Sequence, residues 1–281
     1  MLWFNHPIVQ AHHRKRITGS PEMNTFDYFR QTYVKDPPLA HGMSLGCGSG
    51  WLEREVLDRY ICTTVCGIDS SDERIRDAEE LAKKYNDPML TKLRYCYGDI
   101  NTFLFAPHSF QVVFAKAILH HISNLEGVLD RIHSSLRDNG LFYVDDFIGP
   151  TRRQWTDEQL EITNALIDIL PPYLKTHIKT GEIKQRLVRE DPARVAAKDP
   201  SETVRSGEVE KLVRERFDIV ESHYYGGTIG HLLFGAILSN FDPNNDDHNT
   251  ILKTILYFEG YLIDHGYVAP DFWWAVGRKR G

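Results

Sequence analysis

The chain has 281 residues, of which 42% are hydrophobic and 26% are charged, and its formal net charge is −6. This hydrophobic fraction supports a sizeable core and excludes wholesale disorder. The acidic balance argues against a nucleic-acid partner, and the absence of a window of about 18 apolar residues argues against a membrane span. The basic run at 14–16 follows the first apolar residues, which is the reverse of the order in a signal peptide. We therefore expect a cytoplasmic globular protein.

Four cysteines, Cys47, Cys62, Cys66 and Cys96, lie in the first third of the chain. A disulfide framework is not expected in a cytoplasmic protein of this size. No CxxC or paired-histidine spacing accompanies them, so the sequence predicts no metal site. We expect free and mostly buried thiols.

One predicted helix covers residues 23–33, and from residue 43 strands and helices alternate. The predicted strands cover 43–45, 63–68, 93–97, 111–115 and 141–147, and the predicted helices cover 51–60, 72–85 and 125–136. Residues 138–140 (Asp-Asn-Gly) predict a turn before the last of these strands. This alternation is typical of βαβ units, which build a parallel sheet with helices on both faces.

The alternation stops after residue 150. Residues 151–215 predict helices interrupted by prolines, and a strand over 217–225, helices over 229–240 and 249–265, and a last strand over 272–278 follow. We predict a helical lid (1–40), a cofactor-binding core (41–150), a helical insertion or cap for substrate (151–215) and the C-terminal part of the core sheet with helices (216–281). The insertion could instead only cover one face of the sheet. The apolar helices after residue 229 could form a homodimer interface or pack on the sheet.

A glycine-rich turn, Gly46-Cys47-Gly48-Ser49-Gly50, joins the first predicted strand of the core to a helix. Glycine permits positive φ and close backbone approach, and the helix N-terminus offers unpaired N–H groups. Asp69 ends the second strand, where a carboxylate can accept hydrogen bonds from ribose hydroxyls, and Asp99 ends the third, where it could bind an adenine amine. Because the carboxyl ends of parallel strands share one edge, the three features predict a cofactor site there.

The chain resembles the class I S-adenosylmethionine-dependent methyltransferases over about residues 40–150. The resemblance is carried by Leu45–Gly50, Gly67-Ile68-Asp69, Gly98-Asp99-Ile100, Phe110–Phe114 and Leu119-His120-His121-Ile122. It implies an α/β fold with a Rossmann-like, doubly wound, mostly parallel seven-stranded sheet, an antiparallel last strand and a helical insertion. Segments after residue 150, such as Ser201–Ser206, resemble a bacterial small-molecule subgroup of the class.

The resemblance also implies S-adenosyl-L-methionine as cofactor and S-adenosyl-L-homocysteine as product. The cofactor-binding residues that it implies are Leu45, Gly46, Cys47, Gly48, Gly50, Asp69, Ser70, Asp99, Ile100, Ala115 and Lys116. Two positions depart from the family pattern, because Ser44 stands where an acidic residue is frequent and Gln111 where Asp is usual. The first departure leaves open how the ammonium group of the cofactor is held.

Methyl transfer from a sulfonium is an in-line displacement, so the protein mainly aligns the acceptor and removes its proton. An imidazole suits that task because it titrates near neutral pH without perturbation. His120 and His121 follow the fourth strand of the core, and we predict His120 as the base, with His121 close behind. Either histidine could instead cap the following helix or pack under the insertion.

The C-terminal half supplies candidates for a substrate pocket that combine aromatic and charged side chains. They are Arg152, Trp155, Glu202, Arg205, Tyr224 and His231. This mixture predicts a small polar metabolite as acceptor, methylated on oxygen or nitrogen. Arg205 could instead pair with Glu202 three residues earlier on a helix.

Other functions compete for the same residues. Residues 42–46 match the G-x-S-x-G elbow of α/β-hydrolases, but we expect Ser44 to lie within a strand and not in the turn that this motif needs. A G-x-G-x-x-G motif for NAD is interrupted by Trp51. A non-catalytic, cofactor-binding regulator or partner with the same fold remains the main alternative to an enzyme.

Overall fold

The computed structural model describes residues 4–84 and 92–280. The strands are β1 (Leu39–Leu45), β2 (Cys62–Asp69), β3 (Leu93–Tyr97), β4 (Phe110–Lys116), β5 (Leu136–Phe147), β6 (Phe217–Gly226) and β7 (Phe272–Lys279). The α-helices are α1 (Pro7–Thr18), α2 (Thr25–Tyr33), α3 (Trp51–Asp58), α4 (Asp72–Lys84), α5 (Leu125–Ser135), α6 (Asp157–Ile169), α7 (Pro192–Lys198), α8 (Val209–Arg216), α9 (Gly230–Phe234) and α10 (Asp246–Asp264). The helix predicted over residues 72–85 corresponds to α4, and its predicted last residue, Tyr85, lies outside the described residues.

The strands form one seven-stranded sheet in the order β3-β2-β1-β4-β5-β7-β6. β1 pairs in parallel with β2 and β4, β2 with β3, and β4 with β5, whereas β5, β7 and β6 are joined by antiparallel pairing. The predicted Rossmann-like fold is thereby confirmed. The direction of winding reverses between β1 and β4, which is where ligands bind in open α/β sheets.

Two predictions about the strands were wrong in detail. β1 begins at Leu39, four residues before the predicted start, because the Leu39 N–H donates to the Ile61 carbonyl (2.8 Å) and starts the ladder on a half-buried stretch. The predicted turn at 138–140 lies within β5. There Asn139 has a φ of +59°, and the register with β4 shifts between Phe110 and Val112. Asparagine tolerates this left-handed conformation, so the strand bulges and continues.

The chain divides into two compact units. The sheet unit contains residues 24–147, 201–222 and 273–281, and the helical unit contains residues 1–23, 148–200 and 223–272. The roles predicted for a lid and a cap remain predictions.

The core of the sheet unit is built on two aromatic residues of α2. Phe26 stacks on Tyr143 with ring centroids 5.4 Å apart, and Phe29 meets the same ring edge-on at 5.3 Å. Phe114 of β4 lies between 5.6 and 6.5 Å from all three rings. Truncating one such buried ring typically costs about 3–5 kcal/mol, so this layer fixes α2 on β4 and β5.

The helical unit contains α1, which the sequence analysis missed. His6 caps it by accepting from the Ile8 N–H, proline occupies its first position, and Gly19 ends it in the left-handed conformation. Arg16 then binds Asp264 at the end of α10 through two hydrogen bonds of 2.7 Å. These local capping signals are typical of a helix, although apolar residues are sparse on it.

A fully buried carboxylate organises the loop after β6 in the helical unit. Glu259 of α10 accepts hydrogen bonds from the N–H groups of Gly227 (3.1 Å), Ile229 (2.6 Å) and Gly230 (2.8 Å). Burial raises the pKa of the Glu259 carboxyl, and the three donated hydrogen bonds oppose that rise. The positive φ of Gly226 and Gly227 lets the backbone turn around this one side chain.

No helix within the two described segments combines the length and the hydrophobicity needed to cross a membrane.

Candidate active site

The glycine-rich turn follows β1 and leads into α3. Gly46, Gly48 and Gly50 all have positive φ, between +52° and +75°. A Cβ added at Gly46 would lie 2.5 Å from Ile118, and one at Gly50 would lie 2.3 Å from the hydroxyl of Tyr95. At Gly48, by contrast, no described atom lies within 4 Å of an added Cβ. A side chain at Gly46 or Gly50 would therefore displace a neighbouring side chain, whereas Gly48 borders open space in which a ligand can approach the backbone.

Asp69 connects this turn to the end of β2. One carboxylate oxygen accepts from the Gly48 N–H and the other from the Ser71 N–H, both at 2.9 Å. The Asp69 carbonyl accepts from the Gly98 N–H (2.9 Å), so the ends of β2 and β3 are adjacent. Asp99 follows at once, with an exposed side chain that accepts from the Asn101 N–H (2.9 Å). Both predicted acidic residues therefore lie at the carboxyl edge of the sheet.

The other predicted cofactor residues occupy the same edge with different exposures. Leu45, Cys47, Ile100 and Ala115 are buried, Ser70 is exposed, and Lys116 makes an ion pair with Asp145. Burial raises the pKa of the Cys47 thiol well above its usual range, which keeps it neutral. All four cysteines are free, as predicted.

Ser44 stands where the family pattern often has an acidic residue, and a carboxyl group from α3 lies beside it. Ser44 lies within β1 and is buried, and its hydroxyl donates to the carboxyl group of Glu53, which has no exposed surface. Burial raises the pKa of Glu53 to about 7. A carboxyl group thus lies beneath the glycine turn although the strand position is serine. Because Ser44 lies within a strand, the nucleophile elbow of a hydrolase is absent at residues 42–46.

A histidine–aspartate pair follows β4. His120 lies in a short 3₁₀ turn (Leu119–His121), and its Nδ1 is 2.6 Å from the carboxylate of Asp146, at the end of the neighbouring strand β5. Asp146 has no exposed side-chain surface and also accepts from the N–H groups of Ile118 and Leu119 (both 2.8 Å). A carboxylate can only accept here, so Nδ1 of His120 donates this hydrogen bond, and the neutral imidazole would carry its lone pair on Nε2.

His121 lies against the same turn and meets a distant segment of the sheet unit. Its ring centroid is 4.2 Å from that of His120, and its Nδ1 is 3.0 Å from the hydroxyl of Ser201. The next residue, Glu202, places a carboxylate oxygen so that it and one nitrogen from each histidine all lie within 4.8 Å of one another. Three of the predicted residues therefore form one cluster.

Arg205 has a different partner from the one that we considered. It forms bidentate ion pairs with Glu126 (2.6 and 2.7 Å) and with Glu208 (2.6 and 2.9 Å) and donates to the Ser123 carbonyl. The pairing of Arg205 with Glu202 along a helix was wrong, because residues 201–205 are not helical. Its double ion pair holds the segment after Ser201 against α5.

The remaining substrate candidates belong to the helical unit. Trp155 is buried and meets the ring of His231 edge-on at 5.9 Å, and Phe272 lies 5.6 Å from that same imidazole. Arg152 donates to the Pro200 carbonyl (2.9 Å). Tyr224 is exposed, and its carbonyl accepts from Arg16. The structure thus brings Trp155 and His231 together, and a substrate role for these residues stays a prediction.

Asp146 is one of the residues that the sequence analysis missed, and Glu53 is another. The signal for Asp146 was present, because Asp145 and Asp146 are consecutive carboxylates at the end of a strand whose parallel neighbour leads into the two histidines. Such strand ends meet at one edge of the sheet.

The fold and this edge are similar to those of class I methyltransferase domains. Residues 43–144 match the model of a family described as a methyltransferase domain. Among curated proteins, the sterol 24-C-methyltransferase of Candida albicans is 33% identical over 141 residues, which are 47% of this chain and 37% of that protein. The malonyl-[acyl-carrier protein] O-methyltransferase of Halalkalibacterium halodurans is 28% identical over 120 residues, 42% of each chain.

A solved structure extends the similarity in fold to nearly the whole chain. Phosphoethanolamine N-methyltransferase 2 of Haemonchus contortus, in complex with S-adenosyl-L-methionine, has a TM-score of 0.56 and 15% identity over 99% of this chain and 58% of that one. The predicted resemblance to class I S-adenosylmethionine-dependent methyltransferases is therefore confirmed. The chain matches less than half the length of the curated relatives named here.

Proposed function

We propose that the chain binds S-adenosyl-L-methionine and transfers its methyl group to oxygen or nitrogen of a small polar metabolite. The observation that carries this proposal is the convergence of the glycine turn, Asp69 and the Asp146–His120 pair at the carboxyl ends of β1, β2, β4 and β5. The turn and Asp69 would hold the cofactor, and the histidines would face the acceptor.

The cofactor would lie over Gly48, where the backbone borders open space. Asp69 is already fixed by two N–H donors, and each of its oxygens retains a lone pair for a ribose hydroxyl. Glu53 would supply a carboxyl group beneath the turn, and the positive charge of the cofactor ammonium group would favour its ionised form. When bound, the cofactor supplies an electrophilic methyl group and a good leaving group.

The chain's own contribution to transfer would be alignment and removal of the acceptor proton. Asp146 fixes the tautomer of His120, so that Nε2 can accept a proton from an O–H or N–H group. Proton removal by a positioned general base typically contributes 10²–10⁴-fold in rate. The names of the relatives span carbon, oxygen and nitrogen acceptors, so the acceptor is argued from this chain's residues alone.

The first test is calorimetric titration of the purified protein with S-adenosyl-L-methionine and with S-adenosyl-L-homocysteine. We expect binding of both, and an affinity at least tenfold weaker in Asp69→Ala, whereas Asp77→Ala, a change at an exposed aspartate of α4, binds as the parent does. If neither ligand binds the folded parent protein, the proposal is wrong.

The second test separates an enzyme from a regulator. A panel of small hydroxyl and amino metabolites is incubated with cofactor labelled in its methyl group, and transfer of label is followed. We expect His120→Ala to bind cofactor normally and to lose transfer to whichever acceptor the parent methylates. Cofactor binding without transfer to any acceptor would instead favour the non-catalytic partner.

A further inference from the structure

We propose that His120, His121 and Glu202 hold a divalent transition-metal cation, with Zn²⁺ as the type of ion that this donor set suits. The catalytic meaning of this inference rests on the proposed function. The inference deepens that function, because a bound cation would change how the two imidazoles assist the acceptor. The binding itself requires no cofactor and no acceptor.

The first observation is the proximity of three suitable donors. One nitrogen from each histidine and one carboxylate oxygen of Glu202 lie within 4.8 Å of one another. Two donors of a tetrahedral Zn²⁺ with bonds of about 2.1 Å lie roughly 3.4 Å apart, so the widest donor pair here would close by up to about 1.4 Å on binding. Two imidazoles and one carboxylate form a known ligand set for Zn²⁺ and Fe²⁺ that leaves coordination positions open.

The second observation is the set of groups that orient these donors. Metal-binding histidines usually donate their other ring N–H to a carboxylate, a backbone carbonyl or water, which fixes tautomer and orientation. His120 does so with Asp146 at 2.6 Å, and His121 is 3.0 Å from the hydroxyl of Ser201 through its Nδ1. Both rings therefore direct Nε2 away from these partners, as two ligands of one ion would require.

The third observation is the way in which the segment carrying Glu202 is fixed. The Val204 N–H donates to the His120 carbonyl (3.1 Å), and Arg205 holds Glu126 and the Ser123 carbonyl on the other side. Between them, Thr203 has a φ of +46°, which is unfavourable for a β-branched residue. Such strain persists where surrounding contacts enforce it, and it clusters at ligand sites. The strained residue Thr203 directly follows Glu202.

The chemical consequence concerns the acceptor. A hydroxyl bound to the cation has a lowered pKa and releases its proton to water. Its oxygen then attacks the methyl carbon, the O–CH₃ bond forms as the S–CH₃ bond breaks, and the electron pair stays on sulfur. The cation would thus replace direct proton transfer to His120 and would select an acceptor with a hydroxyl oxygen able to bind a metal.

The test uses tag-free, full-length protein that has been treated with a chelator and dialysed. Titration with Zn²⁺, followed by competition with a chromophoric chelator, should give one equivalent bound at micromolar concentration or tighter. Loading with Co²⁺ should give visible bands that report nitrogen and oxygen ligands. His121→Ala and Glu202→Gln should each weaken binding at least tenfold, whereas His41→Ala, a change at an exposed histidine on β1, should bind as the parent does.

Two results would overturn the inference. One is an absence of stoichiometric Zn²⁺ or Co²⁺ binding by folded protein. The other is binding that persists unchanged in both His121→Ala and Glu202→Gln. Titration with S-adenosyl-L-homocysteine on the same samples keeps the two proposals separate, because loss of cofactor binding with metal binding intact refutes only the proposed function. Methyl transfer that withstands chelation but is lost in His120→Ala would assign proton removal to the imidazole itself.

Discussion

Alanine substitutions at Gly48 and Gly50 of the turn allow the energetic cost of backbone strain to be separated from the effect of ligand contact. Alanine in the left-handed conformation costs roughly 1–2 kcal/mol. Gly48→Ala should incur only that cost, because an added Cβ meets no described atom within 4 Å. For a chain of this size the loss corresponds to a fall of roughly 2–8 °C in Tm. Gly50→Ala adds a contact of 2.3 Å with Tyr95, so its free energy of unfolding should be roughly 1–3 kcal/mol lower than that of Gly48→Ala.

The effects of these substitutions on cofactor affinity should differ from their effects on stability. If the cofactor passes over Gly48, a methyl group there occupies its space, and the affinity for S-adenosyl-L-homocysteine should fall at least tenfold, about 1.4 kcal/mol. Gly19→Ala is the matched control, because Gly19 also has a positive φ (+82°), no described atom lies within 4 Å of an added Cβ, and it ends α1 in the helical unit. Gly19→Ala should lose as much stability as Gly48→Ala but should bind S-adenosyl-L-homocysteine as tightly as the parent does.

Thermal unfolding and calorimetric titration of the three variants provide the measurement. The reasoning is refuted if folded Gly48→Ala binds S-adenosyl-L-homocysteine as tightly as Gly19→Ala does. It is also refuted if Gly50→Ala is no less stable than Gly48→Ala, since the contact with Tyr95 would then carry no cost.

Two further predictions concern buried ionisable groups of the helical unit. Glu259→Ala removes the acceptor of three N–H groups, so its free energy of unfolding, measured with urea, should be lower than that of the parent by at least about 3 kcal/mol. Glu259→Gln should show a smaller decrease. Equal stability of Glu259→Ala and the parent would contradict this reasoning. Burial lowers the pKa of His12 to about 4, from 6.5, so the unfolded chain binds more protons than the folded chain between these values. The free energy of unfolding should therefore fall by up to about 3 kcal/mol as the pH drops from 7 to 4, and His12→Leu should show a correspondingly shallower dependence in urea titrations across that range.

The meeting of the glycine turn, Asp69 and Asp99 at one edge of the sheet could be predicted because its determinants are local in the sequence. Strand, glycine turn and helix are consecutive, and Asp69 and Asp99 each end a strand that periodicity reveals. The bulge at Asn139 could not be predicted, because Asp-Asn-Gly is equally typical of a tight turn. Only the pairing of β5 with β4 on both sides of it decides that the strand continues.

The acceptor side of the site was less predictable for a different reason. Asp146 is 26 residues from His120, and Ser201 is 80 residues from His121. These pairings depend on the position of β5 beside β4 and on the return of residues 201–205 to the sheet unit, which no local pattern encodes. Glu53 was missed because a charged residue in the first turn of a helix is ordinarily solvated, whereas here it occupies the space beneath the glycine turn.

The hydrogen bonds of Asp69 have a consequence for the energetics of recognition. Since one oxygen holds the Gly48 N–H and the other holds the Ser71 N–H, both side-chain torsions of this residue are set in the protein without ligand. A ribose would meet a carboxylate that has already lost its rotational freedom, at a loop bound to the neighbouring strand. Little conformational entropy of this side chain would then remain to be lost on association, so more of its interaction free energy would appear as affinity.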